Sequence, residues 1–234
     1  MLSASLASRV GDERDAIGTG LGYWWLAFGR LKEARRAFET VGHVGQRRWN
    51  LVIMADLLDD QRQAIDLLNA HGWAYNPIPF ARAGLFRRAN AIMQQPTAGG
   101  LGPPHHLVAR GEEALARGRY KDAISQFRQG FELLKARPSA AFYVTAMSLA
   151  RAWHETGDTS QEILVLEEAA RTLPAYVAPG FPAAWWIKAQ THLARAYREG
   201  SRTAEAASLE HQVRKWLAHS EPSFLVQPAT AQPH

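Results

Sequence analysis

The stretch LARAWHETGD, Leu149 to Asp158, returns as LARAYREGSR, Leu193 to Arg202, with Trp153 and Tyr197 in the same slot. A chain that writes one helix ending twice is constrained to a unit that stacks on copies of itself. A lone helical hairpin cannot bury its apolar face, and neighbouring copies cover it. The first ending continues into Ile163, Leu166, Ala169 and Ala170, spaced as one face of a second helix, and Pro174 stops it. The second continues through the turn at Gly200-Ser201 into Ala206, Leu209, Val213, Trp216 and Leu217.

The same grammar runs upstream. In Leu107–Leu134, Gly111, Ala114 and Leu115 lead to Gly118, and Ala123, Phe127, Gly130 and Phe131 form the stripe that follows. Gly118 stands where a tight interhelical turn needs a positive φ or a close approach. Near the start, Gly22 and Trp25 precede Gly29, with Ala34 and Phe38 placed after Gly29 as Ala123 and Phe127 are after Gly118. Two shorter hairpins fit between Asn50 and Gln95, turning at Asp59-Asp60 and at Gly84. Gly29, Asp59, Gly84, Gly118, Gly157 and Ser201 are therefore expected to mark six turns.

The small residue, aromatic, turn Gly, Ala, aromatic and closing Pro of these units resemble the tetratricopeptide repeat (TPR) family, whose unit is a helix–turn–helix of about 34 residues. Leu149, Ala150, Trp153, Gly157, Ala169 and Pro174 fall in register, as do Gly111, Gly118, Tyr120, Ala123 and Phe127. The chain departs from the pattern at Glu162 and Gly130, where the family prefers Ala. Only the step from Gly84 to Gly118 equals the family period. The resemblance implies an all-α, right-handed superhelix of about six helix–turn–helix hairpins, a TPR-like α-solenoid. Residues 1–95 are read as N-terminal hairpins, 96–104 as a loop or linker, 105–219 as C-terminal hairpins with a capping helix, and 220–234 as a loose tail. The wording around LARA, EGSRTAEA and WLAHSEP is also similar to C-terminal repeat regions of bacterial Ser/Thr protein kinases and winged-helix regulators. That likeness implies a piece of a longer protein, with any catalytic or DNA-binding part elsewhere.

Composition narrows the chemistry. With no cysteine, disulfides, thiolate zinc sites and Cys nucleophiles are excluded. The N-terminus lacks a basic n-region and a long apolar run, so it does not read as a signal peptide. No apolar stretch approaches a membrane span, since LVIMADLL is interrupted by Asp56. A cytoplasmic location is expected, or a periplasmic one if the parent protein is membrane-anchored. GTGLG, Gly18 to Gly22, has neither a strand before it nor a Lys after it, so helix packing explains it better than phosphate binding. His105-His106 are adjacent and point to different helix faces. The acidic pairs Asp59-Asp60, Glu112-Glu113 and Glu167-Glu168 fit a turn and solvated faces. No catalytic residue, metal ligand or cofactor site is assigned, and the chain is read as a non-enzyme. Of the tandem aromatics Trp24-Trp25 and Trp185-Trp186, one of each pair is expected in the core and the other between repeats.

By the resemblance, the first helix of each hairpin lines a concave face. Carried over, its inward positions are His105, Val108, Glu112 and Leu115, then Val144, Met147, Arg151 and His154, then Lys188, Thr191, Arg195 and Arg198. Glu112, Arg151, His154, Lys188, Arg195 and Arg198 are the candidate ligand residues. The C-terminal part of this groove is basic, which suits an acidic peptide or a chain terminus, because Arg binds carboxylates in a bidentate fashion. Val108, Glu112 and Met147 depart from the family's clamp for chaperone C-termini. The expected function is a protein-interaction scaffold; the alternative is a helical-repeat protein that binds nucleic acid through Arg and exposed aromatics.

Overall fold

The computed structural model describes residues 12–70, 76–95, 102–172 and 181–221. Among them lie twelve helices and no strand: α1 (Asp12–Ala27), α2 (Leu31–Glu39), α3 (Val44–Leu57), α4 (Gln61–Asn69), α5 (Pro77–Arg82), α6 (Phe86–Met93), α7 (Pro103–Ala116), α8 (Tyr120–Leu134), α9 (Ala140–Glu155), α10 (Thr159–Arg171), α11 (Phe181–Glu199) and α12 (Thr203–Trp216). They pair in chain order as six hairpins. Most of the loops Pro96–Pro104 and Pro174–Pro182, and the tail beyond Glu221, lie outside the described residues.

One local device makes all six hairpins. Gly29, Asp59, Gly84, Gly118, Gly157 and Ser201 each take a positive φ, between 53° and 77°. The next residue's N–H then donates to a carbonyl five positions back: Arg30 to Trp25, Asp60 to Ala55, Leu85 to Phe80, Arg119 to Ala114, Asp158 to Trp153 and Arg202 to Tyr197. This is the Schellman closure, which satisfies a carbonyl left open at the end of a helix and reverses the chain. The following helices start on cue. Asp60 accepts from Gln63 N–H, Asp158 from Gln161 N–H and Asn76 from Ile78 N–H, while Pro77 and Pro103 open α5 and α7, where no N–H is needed.

Within the hairpins, small residues face large ones. A Cβ on Gly22 would lie 2.1 Å from the Phe38 ring, and one on Gly111 would lie 2.5 Å from Phe127. Phe38 and Phe127 are fully buried. GTGLG is part of α1, and a Cβ on its Gly18 would meet Thr40 at 2.7 Å, so these glycines serve helix packing. A single apolar cluster extends from Tyr23 to Ala196, with α5 packed on α7 and Phe131 stacked on Phe142 between α8 and α9. Ile187, Val213 and Leu217 form a separate small cluster inside the last hairpin.

The array turns back on itself. α11 packs not only on α9 and α10 but also on α1 and α3. Just after α12, the Glu221 N–H donates to Gly29 O at 2.9 Å, and its carboxylate accepts from Lys32 N–H at 2.7 Å. The last hairpin therefore touches the first. No described helix is long and apolar enough to cross a membrane.

Candidate functional site

The first helices of the hairpins converge on an internal ion network. Arg82 at the end of α5 donates from Nε to Asp56 of α3 at 2.7 Å, and its Nη atoms lie 3.5 Å from Glu112 of α7 and 3.6 Å from Asp59. Ser148 of α9 donates to Glu112. From α11, Lys188 Nζ reaches Asp59 at 2.7 Å and Leu57 O at 2.6 Å. Arg82 and Lys188 both lie within 6 Å of the Trp185 ring centroid, and Trp185 is 1% exposed. Burial alone would lower the proton affinity of Arg82, but Asp56, Glu112 and Asp59 outweigh it and raise it. Burial pulls Lys188 down, with Asp59 opposing. For Asp59, burial pushes upward but Lys188 and Arg82 prevail, holding the carboxyl below its ordinary value. His192, burdened by burial and by Lys188, falls to about 3.

A second cluster surrounds Glu162, the residue that departs from the repeat pattern. It is fully buried on α10. His154 Nδ1 sits 3.1 Å from its Oε2 and 3.6 Å from Glu199 Oε2. Arg195 holds the other oxygens, with Nη2 3.4 Å from Glu162 Oε1 and Nε 3.7 Å from Glu199 Oε1. His154, Glu162 and Glu199 bring three ligand atoms within 4.8 Å of one another, close enough for a metal ion. The Arg195 guanidinium, however, already supplies the cation that the two carboxylates require, so the donor set fits an internal ion cluster better than a metal centre.

The six ligand residues expected from sequence thus divide. Glu112 and Lys188 are held in the internal network by residues of this chain. His154 and Arg195 meet around Glu162. Arg198 is exposed and pairs with Glu210 of α12. Arg151 is exposed on α9. The basic charge expected along the first helices is offset by Asp59, Glu162, Glu199 and Glu210. Most of these carboxylates come from turns and second helices, which a reading of first helices alone passes over.

A surface groove lies instead between α10, α11 and α12, with a volume near 550 Å³. Trp186, Leu193, Tyr197, Leu209 and Trp216 line it, with Ser208 and Gln212 as exposed hydroxyl and amide groups, while the buried Gln190 donates to Ala170 O at 3.2 Å. Trp186 donates to Ala170 O at 2.9 Å, which fixes the indole, and lies 5.0 Å from Trp216. Trp216 remains 38% exposed. Tyr197 donates to Glu167 at 2.9 Å under the Arg202 guanidinium, and burial together with Glu167 pushes its hydroxyl up to about 12. Arg202 also bridges Glu167 and Glu205. The groove is aromatic, rigidly braced and locally charge-balanced. The apolar stripe of α12 named Leu209 and Trp216; nothing local foretold that α10 would supply the third wall. Of the tandem tryptophans, Trp185 is core and Trp186 packs between helices, while Trp24 is exposed against Phe28 and Trp25 is partly buried under Arg30.

No family model and no curated protein matches the sequence. Among solved structures, the chain is similar to one in the Cut9–Hcn1 hetero-tetramer of the APC/C, at 18% identity and a TM-score of 0.49, over 96% of this chain and 43% of that one. It is also similar to a Podosopora anserina protein named after kinesin light chain, with nearly identical TPR-like repeats, at 20% identity and a TM-score of 0.40, over 86% of this chain and 93% of that one. The chain spans less than half the length of the Cut9–Hcn1 chain it matches.

Proposed function

We propose that this array is a non-catalytic protein-interaction scaffold, and that it receives a peptide of its partner in the groove between α10, α11 and α12. The observation that carries this reading is the pairing of a braced aromatic floor with an exposed Trp216 at the groove's edge. Rigid aromatic anchors give contact area at small entropic cost, and they concentrate binding energy in few residues. Ser208 and Gln212, both exposed on α12, offer the peptide backbone hydrogen bonds without a charge preference.

The acidic-peptide reading of the basic face becomes the second outcome of the same test. Nucleic acid is the weaker reading, because Arg195, Arg198 and Arg202 each pair with glutamates of this chain and Trp185 is core.

The test places a photo-crosslinking amino acid at Gln212 or at Arg151 in cells. A discrete adduct from Gln212 that disappears with Trp216→Ala supports the groove. An adduct from Arg151 that survives Trp216→Ala moves the binding surface to the basic face and defeats the proposal.

A further inference from the structure

We propose that the exposed face of α1 is a docking site for the segment of this chain that follows Glu221, with Phe224, Leu225 and Val226 laid over Trp24 and Phe28.

Ala16, Gly20 and Trp24 recur every four residues along α1 and so share a face. Phe28 continues the row one turn past Trp24, its N–H shared between the Trp24 and Trp25 carbonyls at 3.4 and 3.1 Å. None of the four carries a charge. Ala16 is exposed and Gly20 half-buried. Trp24 is 44% exposed and Phe28 43%, and their rings meet edge to face at 5.3 Å. Among the described residues, the other exposed aromatic is Trp216, which belongs to the α10–α12 groove. Two adjoining rings open to water form a patch that an apolar segment would cover favourably.

The residues after Glu221 start beside that patch. Glu221 N–H donates to the carbonyl of Gly29, the residue next to Phe28, and its carboxylate accepts from Lys32 N–H at the start of α2. The Arg30 side chain at the N-cap of α2 makes no capping bond. Glu221 supplies the missing acceptor, and a carboxylate is favoured at that end of a helix. The chain is thereby pinned next to Phe28.

Reach and charge both fit. Pro222 and Ser223 lead from the pin to Phe224, Leu225 and Val226. Three extended residues span about 10 Å, and Trp24 lies about 6 Å from Phe28 along α1. Residues 222–234 contain no Asp, Glu, Lys or Arg, so docking on the uncharged row desolvates no charged side chain. The residues before Asp12 join α1 at its other end, about 24 Å from Phe28. The segment after Glu221 is the nearer occupant. Docked there, it caps the first hairpin, as a stack of repeats requires at an end whose apolar face meets water. The α10–α12 groove is not involved, so neither proposal depends on the other.

The experiment places a photo-crosslinking amino acid at Leu225 in the full chain. We expect an adduct within one chain, mapped by mass spectrometry to the peptide that carries Trp24 and Phe28, and at least five-fold less of it in Phe224→Ser. No adduct, an adduct confined to other helices, or one unaffected by Phe224→Ser overturns the proposal. An adduct that joins isotopically light and heavy chains in a mixed sample also overturns it, with a second copy as occupant. Hydroxyl-radical labelling reads the same contact without the crosslinker. Phe224→Ser with Val226→Ser should raise oxidation of Trp24 at least three-fold and leave Trp216 unchanged. Equal oxidation of Trp24 in the two chains, or an equal rise at both tryptophans, overturns the docking.

Discussion

Replacing Gly118 by Ala isolates the energy of the turn that builds every hairpin. Gly118 sits at φ +68°, and a Cβ added there would meet no atom within 4 Å. Packing therefore contributes nothing to the change. The left-handed conformation costs a residue with a Cβ about 1–2 kcal/mol, against which the stiffer unfolded chain returns about 0.4–1 kcal/mol. The net loss is about 1 kcal/mol, which in a domain of this size lowers Tm by about 2–4 °C. The reverse change is available in the same molecule. Ser201 is exposed at φ +62° in the equivalent turn, so Ser201→Gly should raise Tm by a similar or slightly smaller amount. Thermal unfolding of both variants beside the native chain, followed by circular dichroism, measures the pair. A Gly118→Ala chain as stable as the native one, or a Ser201→Gly chain less stable, would refute the assignment of these turns to backbone conformation alone.

Gly111→Ala is a glycine of the other kind: its Cβ would lie 2.5 Å from the buried Phe127 ring, so an overpacking cost of about 1–3 kcal/mol exceeds the helix-propensity gain of about 1 kcal/mol. Adding Phe127→Leu should recover part of the lost Tm, which a double-mutant comparison measures. Arg82→Met leaves the carboxylates of Asp56 and Glu112 buried without their guanidinium and should cost about 3–5 kcal/mol, read as a lower urea midpoint. Arg82→Lys should not restore it, since one ammonium cannot span three carboxylates. His192 is held neutral at about 3 against 6.5 when unfolded, so its contribution to stability is intact above about pH 6.5 and is lost as the pH falls toward 3. The unfolded chain takes up the proton first, and at pH 5 the loss is about 2 kcal/mol. His105, lowered to about 4 by burial, adds to the same trend. His192→Gln should flatten the pH dependence of Tm between pH 7 and 5.

How much of this was legible beforehand follows from range. Each turn depends on a residue that tolerates a positive φ and on a carbonyl five positions away, so Gly29, Asp59, Gly84, Gly118, Gly157 and Ser201 could be named from the sequence alone. Helix pairing and the small-to-large match of Gly111 with Phe127 are nearly as local, since both partners lie within one hairpin. The same reading placed Lys188 and Glu112 in a groove, because their helix positions point inward. They do point inward, but tertiary structure brings Asp59 and Arg82 to meet them. It likewise gathers His154 and Arg195 around Glu162, and joins α10 to α11 and α12 as the walls of the aromatic groove. Local backbone energetics thus determined that the chain forms hairpins, and where. Whether the last hairpin would reach the first depended on the small angles accumulated between successive pairs, which no single stretch of residues encodes.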